Sequence, residues 1–302
     1  MPDTISSGRC MLCGSGDEDH RVFEEVEEGG KSLTFQQCSR CGLVFQADRP
    51  SETELKNYYR ESYREWVQGQ SEPSSKDRWV QQGRARNMVD VIQPHLPRVI
   101  RHLDIGSSSG DLILQLASTY GCEGIGIEPG DAYREFSAAR GVQAVPFLED
   151  LDPSMEHSFD LITLSHVLEH LPAPKDTLQE LRKRWLSADG RILVEVPNLF
   201  GHPALEASHL TAYSSQTLKN LLSVSGYETI KTRTHGQPFS RMLRLFITIL
   251  AKPTAIDRAP AISTPRVRLM RIHRKLGLTL LTGARGVSSR ILRKKQLEPW
   301  QG

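Results

Sequence analysis

The chain has 302 residues, 38% of them hydrophobic and 25% charged, enough for one full α/β core with a smaller satellite module and too few for two large domains. The amino terminus, MPDTISSGRC, has no basic stretch followed by an apolar run, and the longest apolar stretch, Phe246 to Ala251, falls far short of the roughly 20 residues of a membrane span; a soluble, cytoplasmic protein is expected. The net charge of +2 divides unevenly: 14 Lys and Arg stand against two acids from residue 241 onward and 24 against 34 before it, a basic tail of +12 on an acidic body of −10, which disfavours nucleic acid as a ligand of the body because phosphate neutralisation supplies most of that affinity.

Residues 1–48 carry Cys10, Cys13, Cys38 and Cys41 as CMLC and CSRC, separated by 24 residues. Each C-x-x-C turn places two sulfurs on one ion, and two such turns complete a tetrahedral Zn²⁺ shell. Four protein ligands leave no open position, so a structural metal is expected, stabilising a zinc ribbon too small to fold on its apolar residues alone. The strand-like segments SLTFQQC and GLVFQ lie around the second turn, while Cys122 reads as a buried small hydrophobe. Residues 49–83 read as a helical connector: after Pro50, Leu55, Tyr58, Tyr59, Tyr63 and Trp66 fall at helical spacing, and polar QGQSEPSSKD follows.

From 84 to 240 apolar strands alternate with amphipathic helices, the pattern of a doubly wound, mostly parallel sheet. The expected order is helix 84–93, strand VIRHLDI, helix DLILQLASTY ending at Gly121, strand CEGIGIE, helix DAYREFSAAR ending at Gly141 and short strand VQAV. Strand FDLITLS, a helix within APKDTLQELRKRWLS, strand RILVEVP, helix SQTLKNLLSVS ending at Gly226 and strand YETIKTRT complete it. Residues 241–302 read as a basic extension, with Phe246 to Ala251 as a buried strand or short helix.

The first strand of this region runs into LDIGSSSGD, with Asp104, Gly106, Ser107, Ser108, Ser109 and Gly110. A glycine-rich turn between strand and helix lets a ligand approach the backbone and the helix amides. Glu128 closes the second strand 18 residues after Gly110, where an acid that grips a ribose diol is expected. Together they predict a nucleoside-containing cofactor. The later strand FDLITLS ends in SHVLEHLPAP, with His166, Glu169 and His170 at the carboxyl edge, where ligands of such sheets sit. On a helix His166 and His170 share a face and Glu169 orients one imidazole, a base with an orienting acid. An H-x-x-E-H zinc-peptidase pattern is the rival for this segment, but it needs a longer helix and a further ligand.

Asp104, Gly106 and Gly110 resemble the first motif of class I S-adenosylmethionine (SAM) methyltransferases, an acid followed by G-x-G-x-G; Ser108 stands where the middle glycine belongs. The resemblance implies that Glu128 binds the ribose of SAM and that Leu148 to Asp150 lie near the adenine. With the four-cysteine domain, H-x-x-E-H and the later HLTAYSSQTLKNLLSVSGY, the chain is similar over residues 10–235 to a bacterial group related to deoxysugar C-methyltransferases. Their equivalents of Glu169 and His170 act on a keto sugar. Residues 241–302 do not match the large C-terminal domain with which that group helps hold the sugar nucleotide. What the resemblance implies is methyl transfer to an oxygen or carbon of a small hydroxylated acceptor, a sugar, glycan or lipid-linked glycan, with His166 or His170 as base. His209 and Tyr213 reach the same mouth as substrate contacts, or Tyr213 packs before its helix.

The tail RVRLMRIHRKLGLTLLTGARGVSSRILRKKQ mixes apolar and basic residues. It reads as a helical lid or interface with a solvated basic face, or as an amphipathic segment on an anionic membrane, with Gly277, Gly283 and Gly286 interrupting any long helix. Two other classes stay open: an RNA methyltransferase holding its target with ribbon and tail, and a non-catalytic SAM-binding scaffold.

Overall fold

The computed structural model describes residues 9–28, 30–48, 73–203, 205–254, 262, 267 and 269–280; the tyrosine-rich helix expected from Leu55 to Trp66 lies outside them. Three antiparallel strands build the amino-terminal module: β1 (His20–Glu28), β2 (Lys31–Cys38) and β3 (Val44–Gln46). Phe35 and Phe45 are buried here, each contributing about 1.5–3 kcal/mol on leaving water. β1 went unread in the sequence because its acids, Glu24, Glu25, Glu27 and Glu28, mask a strand whose inward positions are few.

Helix α1 (Ser75–Ile92) opens the larger unit. Ser74 accepts from the Asp77 amide and Asp77 accepts from the Ser74 amide, a reciprocal cap that fixes the start. The helix therefore begins nine residues before the expected position 84, and the boundary between connector and core at 83/84 falls inside it. Then follow β4 (Arg101–Ile105), α2 (Asp111–Tyr120), β5 (Glu123–Ile127), α3 (Asp131–Ala138), β6 (Gln143–Val145) and β7 (Phe159–Ser165). Next come α4 (Pro174–Glu180), β8 (Leu186–Pro197), the two-residue β9 (Thr211–Ala212), α5 (Ser215–Val224), β10 (Tyr227–His235) and β11 (Phe246–Pro253). Residues 269–280 form a further helix, α6.

The seven-stranded sheet runs β10-β11-β8-β7-β4-β5-β6. β8, β7, β4, β5 and β6 pair in parallel, and β11 is antiparallel to both neighbours, so the doubly wound, mostly parallel architecture is as expected. The end of that unit is not at residue 240: Phe246 to Ala251 is an interior strand, buried at six consecutive positions, because an apolar run with no polar alternation must be covered on both faces. Nor does Gly277 break the tail helix. It lies within α6, where a Cβ would collide with the Phe200 carbonyl, so the glycine permits close approach of the helix to the chain leaving β8.

Ribbon and sheet form one body. β9 pairs with β3, making the small sheet β1-β2-β3-β9, and Leu12, Leu43 and Phe45 share a core with Leu103, Ile162 and Val194. Arg274 of α6 is buried between the two units, donating to Glu24 Oε2 at 2.9 Å and to the Leu199 carbonyl at 2.7 Å. Among the described residues no helix is long and apolar enough to cross a membrane.

Candidate active site

The turn after β4 is shaped by backbone sterics. Gly106 and Gly110 have φ of 71° and 75°, a region that favours glycine. A Cβ on Gly106 would strike Val167, so the turn lies directly against the chain leaving β7. Ser108, the departure from the glycine pattern, adopts φ 50°; serine tolerates the left-handed conformation at a cost of about 1–2 kcal/mol. Its amide donates to Glu128 Oε2 at 2.9 Å, and the Gly130 amide donates to Oε1 at 3.0 Å. The expected acid at the end of β5 is thus buried and aimed at the turn.

Asp104 is buried beneath it, accepting from Thr163 Oγ1 at 2.6 Å. Because that hydroxyl hydrogen is spent on Asp104, His102 Nε2, 2.7 Å away, is the donor to Thr163. Burial raises the Asp104 carboxyl to about 7 against the pull of Thr163, and burial lowers His102 to about 3. Leu148 and Asp150 form a short turn after β6; Glu128 donates its amide to Val145 of that strand, so the turn is a neighbour of the acid. The Asp150 carboxylate itself is exposed and caps the Phe147 amide at 3.0 Å.

At the carboxyl edge of β7 the expected α-helix is absent: Leu168–His170 make a single 3-10 turn, and His166 precedes it with φ 55°. His166 and His170 therefore do not share a helical face. His166 instead lies between two buried carboxylates, its Nδ1 3.4 Å from Glu169 Oε1 and its Nε2 3.6 Å from Glu195 Oε1. Its ring packs edge-on against Phe246 of β11 at 5.0 Å.

Glu195 was missed by the sequence reading, although a lone acid inside the apolar LVEVP run of a central strand is the signal that would have found it. Thr248 Oγ1 donates to its Oε2 at 2.7 Å, and His235 Nε2 lies 3.1 Å from the same oxygen. Burial alone would raise both carboxyls; the neighbouring imidazoles, His166 first, instead hold Glu169 down at about 2 and Glu195 well below the usual carboxylate range.

His170 is buried, with Nδ1 2.7 Å from the Ser208 carbonyl, so that nitrogen carries the proton; burial lowers it to about 4. His209 meets it edge-on at 4.8 Å and reaches Glu206 Oε1 at 3.1 Å. The structure thus brings His166, Glu169, His170 and His209 together. Tyr213 it does not: the ring is buried, and its hydroxyl accepts from Thr211 Oγ1 at 2.9 Å and donates to the Leu168 carbonyl at 3.5 Å. It supports the 168–170 turn from below, the packing alternative, because the two-residue β9 pulls this segment onto the ribbon. Gln46 of the ribbon grips the same loop, its Nε2 lying 3.1, 3.0 and 3.0 Å from the carbonyls of Glu206, Ala207 and His209.

The four ribbon cysteines are free thiols whose ligand atoms lie within 4.8 Å of one another. Sγ separations of 3.4 Å (Cys10 to Cys41) and 3.6 Å (Cys13 to Cys38) are too long for a disulfide and close to the roughly 3.8 Å edge of a tetrahedron with Zn–S bonds near 2.3 Å. Each knuckle is a C-x-x-C-G turn closed by the glycine amide on the first cysteine's carbonyl, Gly14 to Cys10 and Gly42 to Cys38. The donor set and its geometry fit zinc. A hollow of about 730 Å³ lies elsewhere, under α6, lined by Phe200, Lys219, Met242, Arg244 and His273; none of the His or Glu groups above opens into it.

Residues 77–232 match a family described as a methyltransferase domain. No curated protein matches the chain. Among solved structures it is similar to the 1,6-didemethyltoxoflavin-N1-methyltransferase of Burkholderia thailandensis, which holds 1,6-didemethyltoxoflavin and S-adenosylhomocysteine. The identity is 18% and the TM-score 0.56, over 77% of this chain and 100% of that one. A SAM-dependent methyltransferase of Archaeoglobus fulgidus is similar at 19% identity and a TM-score of 0.45, over 59% and 100%. At these identities the likeness is one of fold.

Proposed function

The chain belongs to the methyltransferase-domain family, a SAM-dependent enzyme by that membership, and we propose that it methylates an oxygen or carbon of a small hydroxylated acceptor, with His166 as the base. The acceptor class, a sugar, glycan or lipid-linked glycan, rests on the resemblance of the cysteine knuckles and the H-x-x-E-H segment. One observation carries the choice of base: His166 alone stands between two buried carboxylates, Glu169 and Glu195, which lie against its two ring nitrogens and orient it. His170, lowered by burial to about 4, holds a proton poorly at neutral pH.

When bound, SAM supplies a methyl group already activated by its sulfonium. Asp104, Glu128 and the Gly106 to Gly110 turn would hold it, and contact between Gly106 and Val167 supports a short path from that turn to His166. The protein has to align the acceptor, exclude water and take one proton. The ribbon cysteines would hold a structural zinc that stiffens the β3–β9 junction beneath the mouth. The exposed face of α6, Leu269, Ile272 and Leu276 with Arg271 and Lys275, supports contact with an anionic membrane carrying a lipid-linked acceptor.

The test is methyl transfer from radiolabelled SAM to a panel of sugar nucleotides and lipid-linked sugars, with S-adenosylhomocysteine affinity measured alongside. Product with the native chain, and its loss in His166→Ala at unchanged S-adenosylhomocysteine affinity, is the expected result. A full rate in His166→Ala would remove the base assignment. A folded chain that binds neither SAM nor S-adenosylhomocysteine would sink the methyltransferase reading, and one that binds them but yields no product would favour the non-catalytic scaffold.

A further inference from the structure

Glu169 poses a problem that the base assignment does not solve. Its side chain is 1% exposed, yet among the described residues neither carboxylate oxygen accepts a hydrogen bond. The nearest imidazole nitrogens are His166 Nδ1 at 3.4 Å and His170 Nε2 at 4.0 Å. A buried carboxylate without donors is costly unless a cation stands against it. Glu169, His170 and His209 each offer a ligand atom within 4.8 Å of the others, and all three residues are buried.

The three come from two separate segments, the turn after β7 and the loop before β9, so no local sequence constraint brings them together. Each imidazole has an oxygen partner. The Ser208 carbonyl takes Nδ1 of His170 at 2.7 Å and turns Nε2 toward Glu169, and Glu206 lies 3.1 Å from His209 Nε2. Carbonyl and carboxylate partners behind histidine ligands are what fixes tautomer and ring direction in metal sites. Gln46 holds the backbone of the loop that carries His209.

From this convergence we infer that Glu169, His170 and His209 form a second metal site, distinct from the ribbon, which takes a divalent first-row transition cation at the acceptor mouth. Two imidazoles and one carboxylate suit zinc, iron(II), manganese or cobalt rather than calcium or magnesium, which prefer all-oxygen shells. Three protein ligands leave positions open, and a hydroxyl or vicinal diol of the acceptor would fill them. The role rests on reading this mouth as the acceptor side. There the cation would lower the pKa of the bound hydroxyl. Its proton passes to His166, the oxygen's electron pair forms the bond to the methyl carbon, and the carbon–sulfur pair returns to sulfur, leaving S-adenosylhomocysteine.

The experiment uses the full chain with one zinc equivalent already in the ribbon, titrated with Co²⁺ by calorimetry and visible absorption. The expected result is one further equivalent without the thiolate charge-transfer band that a cysteine site gives. His209→Ala and Glu169→Gln should each weaken that uptake by about tenfold or more, with ribbon zinc and S-adenosylhomocysteine affinity unchanged. The inference is overturned if zinc-loaded protein takes up no second equivalent, or if His209→Ala takes it up as the native chain does. S-adenosylhomocysteine binding on the same samples separates the two readings: no cobalt uptake with normal affinity sinks the metal site alone, whereas absent affinity sinks the methyltransferase reading on which its role depends.

Discussion

Gln46 makes the ribbon answerable for the geometry of a mouth more than 100 residues away in sequence. Its amide has two hydrogens for three carbonyls, those of Glu206, Ala207 and His209 at 3.0–3.1 Å, so two hydrogen bonds form and one is shared. Replacing it by alanine removes about 1 kcal/mol for each bond and leaves the buried His209 carbonyl unsatisfied for about 1 kcal/mol more. The neighbouring Glu206 and Ala207 are only partly buried, and water recovers their share. Loop opening should become easier by about 2–3 kcal/mol, which is a 30- to 150-fold rise in the open fraction. Hydrogen exchange followed by mass spectrometry reads this without any acceptor. In Gln46→Ala the peptide over 205–213 should exchange about 30- to 150-fold faster, and peptides over 104–128 should stay within about twofold. Gln46→Glu, equal in length but without donors, should be at least as severe. Equal acceleration in both regions would mean global destabilisation, and no acceleration would mean that the β3–β9 pairing alone holds the loop; either refutes the clamp.

Stripping zinc from the ribbon with a chelator should speed exchange in the same 205–213 segment, because Gln46 sits at the end of a strand that starts three residues after Cys41; exchange confined to residues 9–48 would uncouple ribbon from mouth. Glu128→Ala should weaken S-adenosylhomocysteine binding by about 1.5–3 kcal/mol, the worth of hydrogen bonds to a charged group, and calorimetry showing native affinity would remove its ribose role. Asp104 carries a pH signature: burial raises its folded value to about 7, above the ordinary 3.8. Between those pH values the folded chain keeps a proton that the unfolded chain has released. This group's stabilisation is full below about 4 and is lost as pH rises through about 7. The stability of the native chain minus that of Asp104→Asn, from urea unfolding, should therefore fall across that window and level off above it; a flat difference would mean that Asp104 is ionised throughout.

The central architecture was legible because its strands and helices carry uninterrupted periodic signals. FDLITLS is β7 residue for residue, and DLILQLASTY is α2 up to the glycine that ends it at φ 68°. The cluster of four cysteines and the acid of β5 were legible for the same reason: residue type and spacing together restrict the geometry. What escaped was set by contacts between distant segments. β9 is two residues long and exists through pairing with β3, which no local pattern announces, and with that pairing Tyr213 supports the 168–170 turn, the packing reading that the sequence left open beside substrate contact. His235 joined the site only because β10 and β11 close against β8, bringing it to Glu195 across 40 residues. The boundary at 240 failed because composition marked a basic tail, whereas the fold needed β11 inside the sheet.

Backbone strain adds an independent pointer to the same place. Among the described residues three non-glycines have positive φ: Ser108, His157 and His166. His157 is held in a loop by a hydrogen bond from its backbone amide to the Arg184 carbonyl, away from the mouth. The other two are the residue whose amide binds Glu128 and the residue bracketed by Glu169 and Glu195. Each costs about 1–2 kcal/mol in the left-handed region, and glycine at either position would relieve it. Ser108 has only a small side chain to justify the cost, so a glycine there should be nearly neutral for cofactor binding. At His166 the strained backbone is what turns the imidazole off the strand and in between two carboxylates, so a glycine would remove the strain and the proposed base together. Strain that persists where its relief would delete the proposed proton acceptor points to a functional constraint, and it supports the proposal of His166 over His170 on grounds separate from charge.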